Sequence, residues 1–250
     1  TGRPDIERVV DPVVMAPLRR RWEAVRAEAD ALLAAADAAT TASVRTRHRN
    51  AFTAAVDGFL AELRRVRVLD PACGSGNFLY VALSKLLDLE KEVLVYGAAN
   101  GLPLGYPLVA PKQLAGLEIN EYARELAQVV VWIGYLQWRL GNGFSGLPDP
   151  ILEPLETIRL QDALLDRSEP GKPKEAEWPA ADFILGNPPF LGSFKMRSEL
   201  GDDYVDQLHR IFGHRIPTGS ALVCSFVEKA RAAIASNRTH RAALLAPTSL

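Results

Sequence analysis

Four short stretches hold residues able to do chemistry. In ADFILGNPPFLGSF, residues 181 to 194, an apolar run climbs to Gly186 and breaks on Asn187-Pro188-Pro189-Phe190. Asn187 offers an amide oxygen just past a predicted strand. The Pro188 carbonyl is a second acceptor, and its orientation is restricted because both prolines have fixed φ. Neither proline has an N–H, so the segment cannot extend a sheet. Phe190 offers an aromatic face. Two acceptors and one ring can hold a planar base that bears an exocyclic amine, the acceptors taking its N–H bonds and the ring its face. The bland alternative is a plain turn.

The second stretch is VLDPACGSGNF, residues 68 to 78. A strand ends in Asp70, and Gly74 and Gly76 bracket Ser75 before a helix opens. The glycines permit a sharp turn and a close approach of ligand to backbone. The helix start then presents free amide donors. A dinucleotide-binding fingerprint needs a third glycine three residues after Gly76, where Leu79 stands. Asp70 suits a ligand carrying an ammonium group better than a diphosphate. The third stretch, LAGLEIN, puts Glu118 at a strand end, where a carboxylate can accept from both hydroxyls of a ribose. The fourth, IRLQDALL, puts Asp162 after a strand, where it can accept from an adenine amine. Each acid alone could be a turn or surface charge.

The elements that must position these residues follow from periodicity. From Val66 onward, short apolar strands (VRVLD, LAGLEI, IRLQ, DFILG, AALLAP) alternate with helical stretches (77–97, 120–140, 220–235). That alternation predicts a doubly wound parallel sheet with helices on both faces. ANGLPLGYPLVAPKQ reads as a Gly/Pro-rich insertion, which stretches the distance from Gly76 to Glu118. GNGFSGLPDP and EPGKPKEAEWP read as loops, the latter solvated. Residues 4 to about 63 are helical in character. Leu18, Trp22, Val25 and Leu32 mark one apolar stripe, and Phe52, Val56, Phe59, Leu60 and Leu63 another. Pro17 suits a first helical turn. The polar TTASVRTRHRN interrupts the pattern, although it could stay helical, and its Arg45, Arg47, His48 and Arg49 read as a solvated face, with phosphate contact the lesser alternative.

Bulk properties bound the function. The 250 residues carry a formal net charge of −1, which is not the basic balance of a stand-alone nucleic-acid binder. The apolar content, 48%, suffices for a sizeable core. Cys73 and Cys224 lie far apart and read as reduced thiols, Cys73 as a packed residue rather than a nucleophile. No apolar run reaches membrane-spanning length, so a cytoplasmic protein is expected, with no membrane partner. The start at Thr1 without Met, and the stop just after AALLAP, lead to the expectation of a domain cut from a longer chain. Glu199, Asp202, Asp203 and Asp206 read as a solvated helical face. His209 and His214 are spaced five apart, poorly for a helical metal site, so no metal is expected. Trp132 and Trp138 fit a core or partner-facing helix.

Taken together, the motifs resemble those of the amino-group DNA methyltransferases that use S-adenosylmethionine. DPACGSGNF resembles their glycine-rich cofactor motif, and NPPF their catalytic D/N/S-P-P-Y/F motif. The order, cofactor motif first, is that of the class dominated by adenine-N6 enzymes. VVDPVVMAPLRRRWEAVRAEAD, NPPFLGSFKMRSELGDDYVDQLH and ALVCSFVEKA resemble the large restriction–modification and phage-defence members, MmeI-like and Eco57I-like. The resemblance implies a Rossmann-like class I methyltransferase fold, truncated after about the fifth strand. Residues 1–63 would be an N-terminal helical segment and 64–250 a C-terminally incomplete catalytic domain. It implies S-adenosylmethionine held by Asp70, Pro71, Ala72, Cys73, Gly74, Gly76, Phe78, Glu118, Ile119, Asp162 and Ala163. Thr1 would be the tail of an N-terminal cofactor motif, though it departs from the aromatic-Thr-Pro pattern. Catalysis would fall to Asn187, Pro188, Pro189 and Phe190, acting on a flipped base of double-stranded DNA, with a target-recognition domain outside this chain. The same N-P-P-aromatic pattern serves cytosine N4, RNA bases and protein glutamine. A non-catalytic cofactor-binding module is the reading from a different class.

Overall fold

The computed structural model describes residues 2–144, 153–169, 171–217 and 219–247. Thr1 and the 145–150 part of the predicted GNGFSGLPDP loop lie outside the described residues.

The chain opens with helices. α1 (Arg3–Val10) runs through a wide, π-type turn at Asp11–Met15 directly into α2 (Ala16–Asp37). Pro12 and Pro17 each lack an N–H, so regular i to i−4 bonding cannot pass through this stretch, and the helix widens instead of ending. Pro17 stands in the first turn of α2, as expected, although the helical run reaches it without a break through the π-type turn. The break predicted around TTASVRTRHRN shrinks to residues 38–41: Thr41 accepts from the Val44 N–H at 3.3 Å and caps α3 (Ala42–Leu63). Trp22 of α2 stacks on Phe59 of α3.

The main sheet comprises β1 (Val68–Asp70), β2 (Leu114–Glu118), β3 (Ile158–Leu160), β6 (Phe183–Gly186) and β7 (Arg241–Leu244), all parallel, in the order β3-β2-β1-β6-β7. α4 (Asn77–Ala99) connects β1 to β2, α5 (Glu121–Gly141) follows β2, and α6 (Ser193–Leu200), α7 (Asp202–Phe212) and α8 (Val223–Ala235) lie between β6 and β7. Successive strand residues point to opposite faces. Leu114, Val68, Phe183 and Leu185 join a core with α4, α5 and α1–α3. Ala115, Leu69 and Ile184 join a second core with α7 and α8, through Leu208, Phe212, Leu222 and Phe226. α4 is buried on most of its circumference because the N-terminal helices cover the side that the sheet does not. Trp22 donates to Glu92 across that contact at 3.0 Å.

One expectation is corrected. EPGKPKEAEWP is not simply a solvated loop. β4 (Leu165–Asp166) pairs antiparallel with β5 (Lys174–Glu175), Ala176 is buried, and Trp178 donates to the Ala163 carbonyl at 2.7 Å. Lys229 of α8, buried over the Trp178 ring, bonds Glu175 at 3.1 Å and the Ala176 carbonyl. An indole and an ammonium stem on apolar surface thus anchor a stretch whose composition alone reads as loop.

The Gly/Pro-rich insertion is likewise held. Gly101, with φ of +93°, turns the chain after α4. Buried Glu90 then accepts from Arg64 Nε at 2.7 Å and from the N–H groups of Leu108 and Val109 at 2.9 and 2.7 Å.

Candidate active site

Strand order reverses beside β1. β2 and β3 lie on one side of it, β6 and β7 on the other. In open α/β sheets, ligands lie outside the carboxyl ends of the strands at such a switch point. The four sequence-selected groups meet there: Asp70 ends β1, Glu118 ends β2, Asp162 follows β3 by two residues, and Asn187 follows β6.

A cleft of about 610 Å³ opens over these ends. Pro71, Ala72, Glu118, Ile119, Asp162 and Ala163 line one part of it, and Asn187 and Pro189 another. α6 and α7 supply Leu200 and Tyr204, Leu222 comes from just before α8, and Phe226 from its first turn. A second cavity of about 570 Å³, lined by Arg21, Asp182 and His240 among others, sits at the opposite, N-terminal ends of the strands. It contains none of the selected residues.

Each acid is held differently. Glu118 accepts from the Gly74 N–H through Oε2 and from the Ile119 and Asn120 N–H groups through Oε1, all at 2.9 Å. It therefore ties the β1–α4 turn to the β2–α5 turn, and about one of its four lone-pair sites remains for a ligand hydroxyl. Asp162 Oδ1 accepts from the Leu164 and Leu165 N–H groups at 2.7 and 3.2 Å. Asp70 is buried; its Oδ1 accepts from the Ala72 N–H at 3.0 Å, and its Oδ2 has no hydrogen-bond partner among the described residues. Burial pushes the Asp70 carboxyl up to about 7; the Ala72 bond opposes this and the Glu118 charge adds to it. Gly186 leaves the room: a Cβ there would stand 2.4 Å from Asp70 Oδ1.

The turn depends on glycine at Gly76, where φ is +80° and a Cβ would sit 3.0 Å from the Ala127 backbone. Gly74, at φ +52°, is also left-handed. Cys73 packs against Gly116, and burial raises its thiol pKa, which disfavours a thiolate.

The sequence-selected residues do not all reach the cleft. Asp70, Cys73, Gly74 and Gly76 are not among the residues that line it. Phe78 is 5% exposed and belongs to the apolar core with α4 and α5. As the second residue of α4 it faces inward along with Leu79 and Ala82, so it supports the turn and is not a cleft wall. Pro188 is buried, whereas Phe190 stands 47% exposed outside the cleft lining. Sequence reasoning missed Tyr204, Leu222 and Phe226. One signal was available: Tyr204, Leu208 and Ile211 follow helical spacing on the apolar side of α7, although no role was read from that spacing. The α7 acids are exposed, and Asp202 and Asp206 pair with Arg197 at 2.9 and 2.7 Å. Among the described residues, no cluster of three or more His, Cys, Asp or Glu could hold a metal, and no helix is long and apolar enough to cross a membrane.

An open parallel sheet in this order, with carboxylates at the ends of β1 and β2 and an N-P-P-F turn after β6, defines the Rossmann-like methyltransferase class of domain. More narrowly, the chain belongs to the MmeI DNA-methyltransferase domain family, whose model matches residues 45–250. It is 31% identical over 173 residues to DNA methyltransferase A of Bacillus subtilis (strain 168), a match that covers 67% of this chain and 19% of that protein. Its fold is similar to that of the type IIL restriction–modification enzyme MmeI solved in complex with DNA. The TM-score is 0.65 at 22% identity, over 98% of this chain and 30% of that one. The chain thus spans less than a third of the length of either relative.

Proposed function

We propose that this domain transfers a methyl group from S-adenosylmethionine to the N6 amine of a flipped adenine in double-stranded DNA, as part of a restriction–modification or phage-defence protein. The observation that carries the proposal is the single cleft: the carboxylates of Glu118 and Asp162 and the amide of Asn187 open onto one space. Family membership supports a methyl donor, and the DNA complex of the solved relative supports a DNA partner.

The residues present fit the donor. Asp70 has a buried oxygen without a partner among the described residues, suited to a cationic group. Glu118 retains acceptor capacity for a ribose hydroxyl, and Asp162 for an adenine amine. Ile119, Ala163 and Leu164 supply apolar walls. When bound, the donor would supply an electrophilic methyl on a sulfonium, whose sulfur would be left as a neutral thioether once the amine nitrogen has taken the methyl.

The protein's task is to make a poor nucleophile reactive. An adenine amine has its lone pair delocalised into the ring. Bonds from its two N–H groups to Asn187 and the Pro188 carbonyl favour a pyramidal nitrogen and stabilise the positive charge that develops on it. The methylated ammonium is acidic enough to lose its proton to solvent, so the site needs no strong general base. A paired base must leave the stack, which costs a few kcal/mol. Stacking on the exposed Phe190 ring would return ~1–3 kcal/mol.

The test is to incubate the full-length protein with methyl-labelled S-adenosylmethionine and duplex DNA, digest the DNA to nucleosides and identify the labelled species by mass spectrometry. Label on N6-methyldeoxyadenosine is expected. Label on N4-methyldeoxycytidine would reassign the acceptor, and label absent from DNA would overturn the proposal.

A further inference from the structure

We infer that Tyr204 is a positioning residue of the cleft: it holds the Asp162 carboxylate toward the bound donor's base and sets how strictly the cleft demands an amino group there. The inference rests on the donor assignment proposed above and adds to it a residue to which the sequence assigned no role.

Asp162 is fixed from below. Its Oδ1 takes two backbone N–H groups, from Leu164 and Leu165. That short segment is pinned in turn, because Leu165 pairs with Glu175 and the Ala163 carbonyl accepts from Trp178. The carboxylate cannot follow a ligand by moving its backbone. From above, half-buried Tyr204 lines the same cleft as Asp162, whose carboxylate lies close enough to act on the phenol. Burial, and next the Asp162 charge, raise the Tyr204 pKa, so the phenol remains a neutral donor at any physiological pH.

α7 is itself anchored. Val205, Leu208 and Phe212 are buried, and Asp203 pairs with Arg167 at 2.7 Å on the Asp162 side of the cleft. Two rigid elements therefore face each other across one carboxylate.

The consequence is chemical selectivity. A carboxylate held by N–H groups on one side and O–H on the other presents its remaining lone pairs in a fixed direction. An amine placed there donates to it. A 6-oxo group places its own lone pairs against it and is rejected. Without the phenol, Asp162 is free to turn away, and an oxo base meets less opposition.

The experiment is calorimetric binding of S-adenosylhomocysteine and of its inosine counterpart, which carries a 6-oxo in place of the 6-amino group. It uses the full-length protein, its Tyr204→Phe variant and its Asp162→Asn variant. Wild type should prefer the adenosine form by ~10-fold or more, and Tyr204→Phe should reduce that ratio to within ~3-fold. Asp162→Asn should erase the preference, with nothing further lost in the double variant. An equal loss of affinity for both compounds in Tyr204→Phe, at unchanged ratio, would mean a merely structural tyrosine and overturn the inference. Failure of wild type to bind either compound would overturn the donor assignment itself, and the inference with it.

Discussion

Asp70→Asn separates what Asp70 does for the fold from what it does for a ligand. The side chain is buried, one oxygen has no partner among the described residues, and the carboxyl is pushed up to about 7. That is about three pH units above an exposed aspartate, and at ~1.4 kcal/mol per pH unit, ionising it inside the fold costs ~4 kcal/mol. The folded state binds this proton more tightly than the unfolded chain does. The stabilisation is therefore complete below about pH 4 and is lost as pH rises through about 7. Asparagine keeps the shape and the acceptor for the Ala72 N–H but has no proton to lose. Urea denaturation of both proteins at pH 5 and pH 8 measures the effect. Between those values, wild type should lose ~3 kcal/mol relative to the variant. A cation delivered to Asp70 removes the penalty, so S-adenosylmethionine should stabilise wild type at pH 8 far more than it stabilises Asp70→Asn. Parallel stability profiles for the two proteins across this range would refute the reasoning. They would mean that water reaches Asp70 in the folded state and that no buried charge awaits a cation.

Three further changes test other parts of the structure. Asn187→Ala removes one proposed acceptor of the reacting amine: turnover should fall ~10²–10³-fold while the affinity for S-adenosylhomocysteine moves by less than ~3-fold, and near-normal turnover would end its proposed role. Glu90→Ala deprives Arg64 and the Leu108 and Val109 amides of their shared acceptor, and urea denaturation should register a loss of ~3–5 kcal/mol; under ~1 kcal/mol would show the insertion is held by other means. Gly76→Ala sets a Cβ into a left-handed turn and against the Ala127 backbone, so the folded state should lose ~1–3 kcal/mol, and an unchanged melting temperature would contradict that geometry.

Much of the frame was legible because the relevant signals are local. A run such as FILG between Asp182 and Asn187 is short, apolar and stopped by two prolines, and it forms β6 as read. The glycines of CGSG announce a turn, and both adopt the left-handed backbone that glycine tolerates. Alternation of such strands with amphipathic helices specifies a parallel doubly wound sheet, since parallel strands need a crossover between them. The acids at strand ends then fall at one rim by topology alone. Where local composition misled, a distant partner had intervened. EPGKPKEAEWP reads as solvent-exposed until Lys229 and Trp178 give it a buried anchor.

What the sequence determined by itself is therefore the set of chemical groups and the edge of the sheet on which they stand: Asp70, Glu118, Asp162 and Asn187. Their order along the chain and their strand-end positions need no coordinates. What only the tertiary structure decided is which of them face the ligand and which serve the fold. It turned Phe78 into the core, set Phe190 outside the cleft, and committed most of the Glu118 carboxylate to three backbone amides. It also brought Tyr204 over Asp162, 42 positions earlier in the chain. Periodicity reports the face on which a side chain lies. It does not report what the opposite face carries, because that depends on how separate helices pack over a sheet, and on contacts between residues whose spacing in sequence bears no relation to their distance in space.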